Sequence, residues 1–192
     1  MQITIKQFQE IYKVPNGPTL EEQVDRLASI CAIIHGGKPE DYLNKTPSQL
    51  SKYKVDISVP EGKAPVSFKV KGQTYVVNHL VSTLTMAEFI DLTTFTQSEE
   101  SIVENIHNII AVFAKPEKKW FKKRETDREK IADHLLNNLS IEVAYPTAVF
   151  FSSLYKSLLN RTRSYLMKKE LPLLKKQHEA MQDLLKNIGA GS

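Results

Sequence analysis

Residues 68–92 read FKVKGQTYVVNHLVSTLTMAEFIDL: two short alternating runs meet at a lone glycine, and a helix with a marked start follows. Val66, Phe68 and Val70 alternate with polar residues before Gly72, and Tyr75 and Val77 do so after it. A period of two puts one face of each run on a core and the other in water, which predicts an antiparallel β-hairpin over about 66–78. Two strands alone are marginal in water, so the hairpin must lie on helices or gain a further strand. Val55, Ile57 and Val59 alternate in KVDISV at 54–59 and supply a candidate third strand, followed by the loop PEGKAP. The edges of the resulting meander are expected to be open.

Outward from the hairpin the chain reads as helical. A Ser or Thr cap with Glu or Gln three residues on satisfies two backbone donors reciprocally. The pattern recurs at Thr4 with Gln7, Thr19 with Glu22, Thr46 with Gln49, Thr85 with Glu88, and Thr126 with Glu129. Each cap contributes about 1 kcal/mol, and Pro47 stands where its missing N–H costs nothing. Apolar residues at steps of three and four mark buried helix faces. One stripe is Leu20, Val24, Leu27, Cys31 and Ile34, closed by Gly36-Gly37 and Pro39. A second is Ile102, Val103, Ile106, Ile109, Ile110 and Phe113, ended by Lys115-Pro116, and a third is Ile131, Leu135, Leu136 and Leu139. After Pro146 a long helix is predicted to carry Val149, Phe150, Leu154 and Leu158, and Pro172 should kink or restart it.

The fold class is therefore mainly α (α+β), with six to eight helices and one hairpin or three-stranded meander. The predicted division is a helical domain at 1–144 and long C-terminal helices at 145–192, packed on the domain or on a partner. At 192 residues, 41% of them hydrophobic, the chain can bury a core without disulfides or metals. The single Cys31 excludes an internal disulfide and suits a reducing compartment. No secretory signal is read at MQITIKQFQE and no stretch approaches the roughly 20 apolar residues of a membrane span. A cytoplasmic setting without membrane contact is expected.

No catalytic constellation emerges. The glycines form no phosphate loop, and His35, His79, His107, His134 and His178 include no metal-binding pair at helical spacing. No cofactor or metal is expected, and no enzyme. Cys31 reads as a small core residue. The basic segment KPEKKWFKKR, residues 115–124, sets six cations against Glu117. Lys118, Lys119, Trp120, Lys122, Lys123 and Arg124 together suit stacking and phosphate attraction on a single-stranded nucleic acid. The same loop suits a protein contact with Trp120 as anchor, or an aromatic anchor within the fold with the lysines in water.

The order of elements resembles small proteins encoded among the virion genes of tailed bacteriophages, including the crAss-like phages. There a segment of the type F.V.G..Y.V precedes T..EFIDL and then N.H.I.AVF. Here Phe68, Val70, Gly72, Tyr75 and Val77 lead to TMAEFIDL and NIHNIIAVF. The chain is more distantly similar to tail-assembly and baseplate-hub chaperones. The match is best over about residues 66–116 and carries no active-site residue. It implies a non-enzymatic virion component or a transient tail-assembly chaperone, acting in the host cytoplasm or within the virion. Its partners would be tail, portal or neck, or tape-measure proteins, or further copies of itself. Tyr75, Val77, Phe89, Trp120 and Phe121 are the expected contact residues. The alternative is a phage nucleic-acid-binding accessory protein using residues 115–124.

Overall fold

Thr4, Thr19 and Thr85 cap helices in the computed structural model, which describes residues 2–50, 52–53, 60–117 and 127–169. The candidate strand at 54–59, most of the basic segment and the last predicted helix lie outside the described residues. The chain divides into two compact units, residues 1–152 and 153–192.

The elements are α1 (Ile5–Lys13), α2 (Leu20–His35), α3 (Pro39–Leu43), α4 (Pro47–Leu50), β1 (Ser67–Val70), β2 (Gln73–Val77), a 3-10 turn (Val81–Thr83), α5 (Met86–Phe95), α6 (Glu99–Glu104), α7 (Ile106–Phe113), β3 (Ala114–Pro116), α8 (Arg128–Asn138) and α9 (Ile141–Lys169). The protein is mainly helical with a small three-stranded antiparallel sheet, the α+β class that the sequence predicts.

At Thr4, Thr19 and Thr85 both halves of the capping box are formed. At Thr46 the Gln49 side chain accepts from the Thr46 N–H at 2.9 Å, while the Gln49 N–H goes to the Thr46 carbonyl. The start of α8 differs from expectation. Its cap is Asp127, one residue after Thr126, and the Asp127 carboxylate accepts from the Glu129 and Lys130 N–H groups. Those bonds hold the carboxyl below its usual range. The second stripe also divides: Asn105, at φ −113° and ψ 16°, ends α6 and starts α7.

Two stripes are displaced from their predicted faces. Leu20 is 77% exposed and Val24 and Leu27 are also exposed, so the buried side of α2 is Ala28, Ile30, Cys31 and Ile34. Only the second half of the helix is covered, where Ala28 and Cys31 meet Tyr42 of α3. On α9 the helix begins five residues before Pro146 and buries Ala144, Thr147, Ala148, Phe151 and Ser152. Val149 and Phe150 flank that face and stay exposed. The small residues at 144, 148 and 152 let the helix approach its neighbours closely, which the bulkier predicted stripe would prevent.

The core of residues 1–152 lies between α7, α8, the start of α9 and the inner face of the sheet. Ile106, Ile109, Ile110, Leu135 and Phe151 are completely buried, each contributing about 1.5–3 kcal/mol by leaving water. The Phe113 and Phe151 rings stack at 3.7 Å. The start of α1 is tied in by a bridge between Thr4 and Ser140, with the Ile5 N–H donating to the Leu139 carbonyl and the Ile141 N–H to the Ile3 carbonyl.

Candidate interaction surface at the sheet edge

The hairpin turns in two residues. Val70 pairs with Gln73, leaving Lys71 at φ 46° and Gly72 at φ 79°. Two positive φ values in a two-residue loop are the turn whose twist matches that of paired strands. The register then sets the faces: Phe68 lies opposite Tyr75, and Ser67 opposite Val76. Phe68, Val70, Tyr75 and Val77 point into the core, and Ser67, Lys69 and Val76 point to solvent. Tyr75 stacks between Phe68 at 5.5 Å and His134 at 6.1 Å.

Among the described residues the third strand is Ala114–Pro116, which pairs antiparallel with β2, and the candidate at 54–59 lies outside them. The sequence places the end of a helix there, and the reason for a strand is local. A residue before proline is pushed out of the helical region, so Lys115 is extended and the chain passes from α7 straight into β3. The hairpin is consequently covered on its β2 side, and β2 is the central strand.

The hydrogen bonds show which edge is left. The Val77 N–H donates to the Val66 carbonyl at 2.9 Å. The Asn78 N–H donates to the Phe113 carbonyl at 2.9 Å, and the Glu117 N–H to the Thr74 carbonyl at 2.8 Å. Residues 73, 75 and 77 of β2 therefore serve β1, and 74, 76 and 78 serve β3. On β1 the partners are 66, 68 and 70, so the N–H and C=O groups of Ser67 and Lys69 face away from the sheet. The outer edge of β3 offers no N–H: Ala114 donates to the Ile110 carbonyl and Pro116 has no donor. Among the described residues β1 is the one edge able to accept a further strand.

Beside that edge lies an apolar surface centred on His79. The His79 ring packs 5.3 Å from Phe150 and 5.7 Å from Phe151, and its Nε2 lies 3.3 Å from the Pro65 carbonyl. Around it Val66 is 74% exposed, Leu80 61% and Phe150 38%. The outer face of the sheet adds Val76, opposite Ser67 on β1 and Lys115 on β3. The ion pairs among the described residues are Lys13–Glu104, Arg128–Asp91 and Lys130–Asp127, none of them on the sheet.

Of the sequence-predicted contact residues, Tyr75 and Val77 are 4% and 5% exposed, on the inward face. Phe89 is half-buried on α5. Trp120 and Phe121, and with them Lys118, Lys119, Lys122, Lys123 and Arg124, lie outside the described residues. Val66 and Phe150 were hidden in the pattern by their predicted places in a strand and on a buried helix face, and Leu80 falls between the predicted hairpin and the helix capped by Thr85. Among the described residues no group of three or more His, Cys, Asp and Glu side chains is placed to hold a metal ion. Burial raises the Cys31 thiol above its ordinary value, so it resists ionisation. No helix among the described residues is long and apolar enough to cross a membrane. Comparison with protein-family models, with curated proteins and with solved structures finds no match to this chain.

Proposed function

We propose that this protein acts by binding another protein, without catalysis, through the surface formed by Val66, Leu80 and Phe150. The observation that carries this reading is the group of large apolar side chains left in water around His79, beside an open strand edge. Apolar surface of this kind next to a polar rim is what a protein contact uses. The nucleic-acid alternative rests on Trp120 and its neighbouring cations, which lie outside the described residues. Phe68 and Tyr75 face the core, so the lysine-bearing face carries no base-stacking platform among the described residues. The phage setting, as virion component or tail-assembly chaperone, rests on the sequence resemblance over residues 66–116 alone.

The test is quantitative mass spectrometry of purified particles and infected-cell lysate from the encoding phage, with the wild-type chain and with Val66→Glu/Leu80→Glu. Both substitutions fall on exposed positions, so folding stability is expected to change by less than about 0.5 kcal/mol each. A fixed ratio to portal or tail proteins in the particle, lost in the variant, identifies a component. Co-purification with a structural protein in the lysate alone, lost in the variant, identifies a chaperone. Association unaffected in a folded variant would sink the proposed surface.

A further inference from the structure

We infer that the β1 edge is a docking site for an extended strand of another protein that carries an acidic residue opposite Lys69 and apolar residues at the alternate positions. This rests on the reading that the protein binds a partner at this surface, and it names the partner's chemistry. The backbone supplies the template: Ser67 and Lys69 both present N–H and C=O groups outward, enough for four ladder bonds. β1 therefore resembles an interrupted sheet.

Side-chain parity sets what the added strand must look like. A residue hydrogen-bonded opposite Ser67 or Lys69 projects on the outer face, beside the Lys69 ammonium. The outer-face residues are Ser67, Lys69, Thr74, Val76, Lys115 and, opposite Thr74 just after β3, Glu117, so the one acidic residue sits on the β3 side and none stands on β1 with Lys69. A partner carboxylate opposite Lys69 meets an unpaired positive charge. The residues between project to the inner side, where Phe68 closes the core and Val66 lies open to water. Those positions call for apolar side chains.

The same lysine argues against a second copy of this chain as occupant. An edge lysine is a device that discourages sheets from joining edge to edge. Pairing two β1 strands would bring two Lys69 ammoniums onto one short face with no carboxylate between them. An acidic strand turns that repulsion into attraction, so Lys69 selects as well as protects.

The experiment uses the full chain and two end-capped eight-residue probes, one alternating valine with glutamate and one alternating valine with lysine. Amide exchange at each residue is followed by NMR. The valine–glutamate probe is expected to slow exchange at Ser67 and Lys69 and to bind about fivefold tighter than its lysine counterpart. Lys69→Glu is expected to reverse that order. Absence of protection at Ser67 and Lys69 with about 1 mM probe, protection elsewhere, or a preference that Lys69→Glu does not change would each overturn the inference. If strand addition fails while Val66→Glu/Leu80→Glu still breaks association, the binding surface stands and only the partner's form is wrong. If both fail, the surface itself is wrong.

Discussion

Lys71 adopts φ 46° at the hairpin turn, where a side chain is tolerated at a cost, and Gly72 follows at φ 79° with open space where a Cβ would stand. The two-residue turn favours asparagine followed by glycine. Lys71→Asn is expected to raise stability by about 0.5 kcal/mol, and Gly72→Ala to lower it by about 1 kcal/mol, through backbone strain and not a clash. Urea midpoints check both. His107 gives a pH dependence. Burial between helices lowers its pKa below the ordinary 6.5, against the opposing pull of Asp133, and its Nδ1 lies 3.4 Å from the Gln9 amide nitrogen. That amide also donates to the Val103 and Glu104 carbonyls. The unfolded chain therefore takes up this proton more readily than the folded one, so stability falls as pH drops through the ordinary imidazole range. The His107→Gln variant should lose less stability than wild type between pH 7.5 and 5.5, read from urea midpoints at the two values. At this scale the sequence is informative where one residue suffices. A glycine after an alternating run marks the turn, whereas the side of the sheet that meets solvent needs the register. The alternation also groups Tyr75 with Val77 on one face of β2, and that face lies inside.

Helix α2 separates what periodicity says from what packing decides. Its apolar stripe is written over four turns, but only the half near α3 is covered, and a repeat of three and four cannot say how far a neighbour extends. Ile34→Ala is expected to cost about 2–5 kcal/mol, and Leu20→Ser less than about 0.5 kcal/mol. Equal losses in chemical denaturation would contradict the burial described. The capping boxes at Thr4, Thr19 and Thr85 were legible because their partners lie three residues apart. The Thr85→Ala substitution should cost about 1 kcal/mol, with the loss appearing as earlier amide exchange at the start of α5. β3 was not legible as a strand. Three residues give no alternation to detect, and the partner of Ala114–Pro116 is some 40 positions earlier, at Tyr75–Val77. The Lys115-Pro116 pair announces only that a helix cannot continue. The proposed contact surface was equally hidden, because His79, next to Leu80, is brought beside the Pro65 carbonyl by strand pairing and against Phe150 of α9 by packing.

Across residues 1–152 the sheet and the helices share one core, and Phe151 is its crossing point. It stacks on Phe113 at 3.7 Å and touches His79. Phe151→Ala is expected to cost about 3–5 kcal/mol, with loss of near-ultraviolet circular dichroism and unfolding at a lower temperature as the measurements. The passage from α7 into β3 without an intervening loop has a further consequence. Moving β3 along β2 to the next register of the same parity means a shift of two residues, about 6.6 Å. Phe113 is bonded directly to Ala114, so α7 would have to travel with it, dragging Ile109, Ile110 and Phe113 out of their packed positions. The sheet is thus clamped along its length like a rule held at one end. A strand arriving at β1 meets spacing already set, and gives up its own freedom without also having to order the surface it joins.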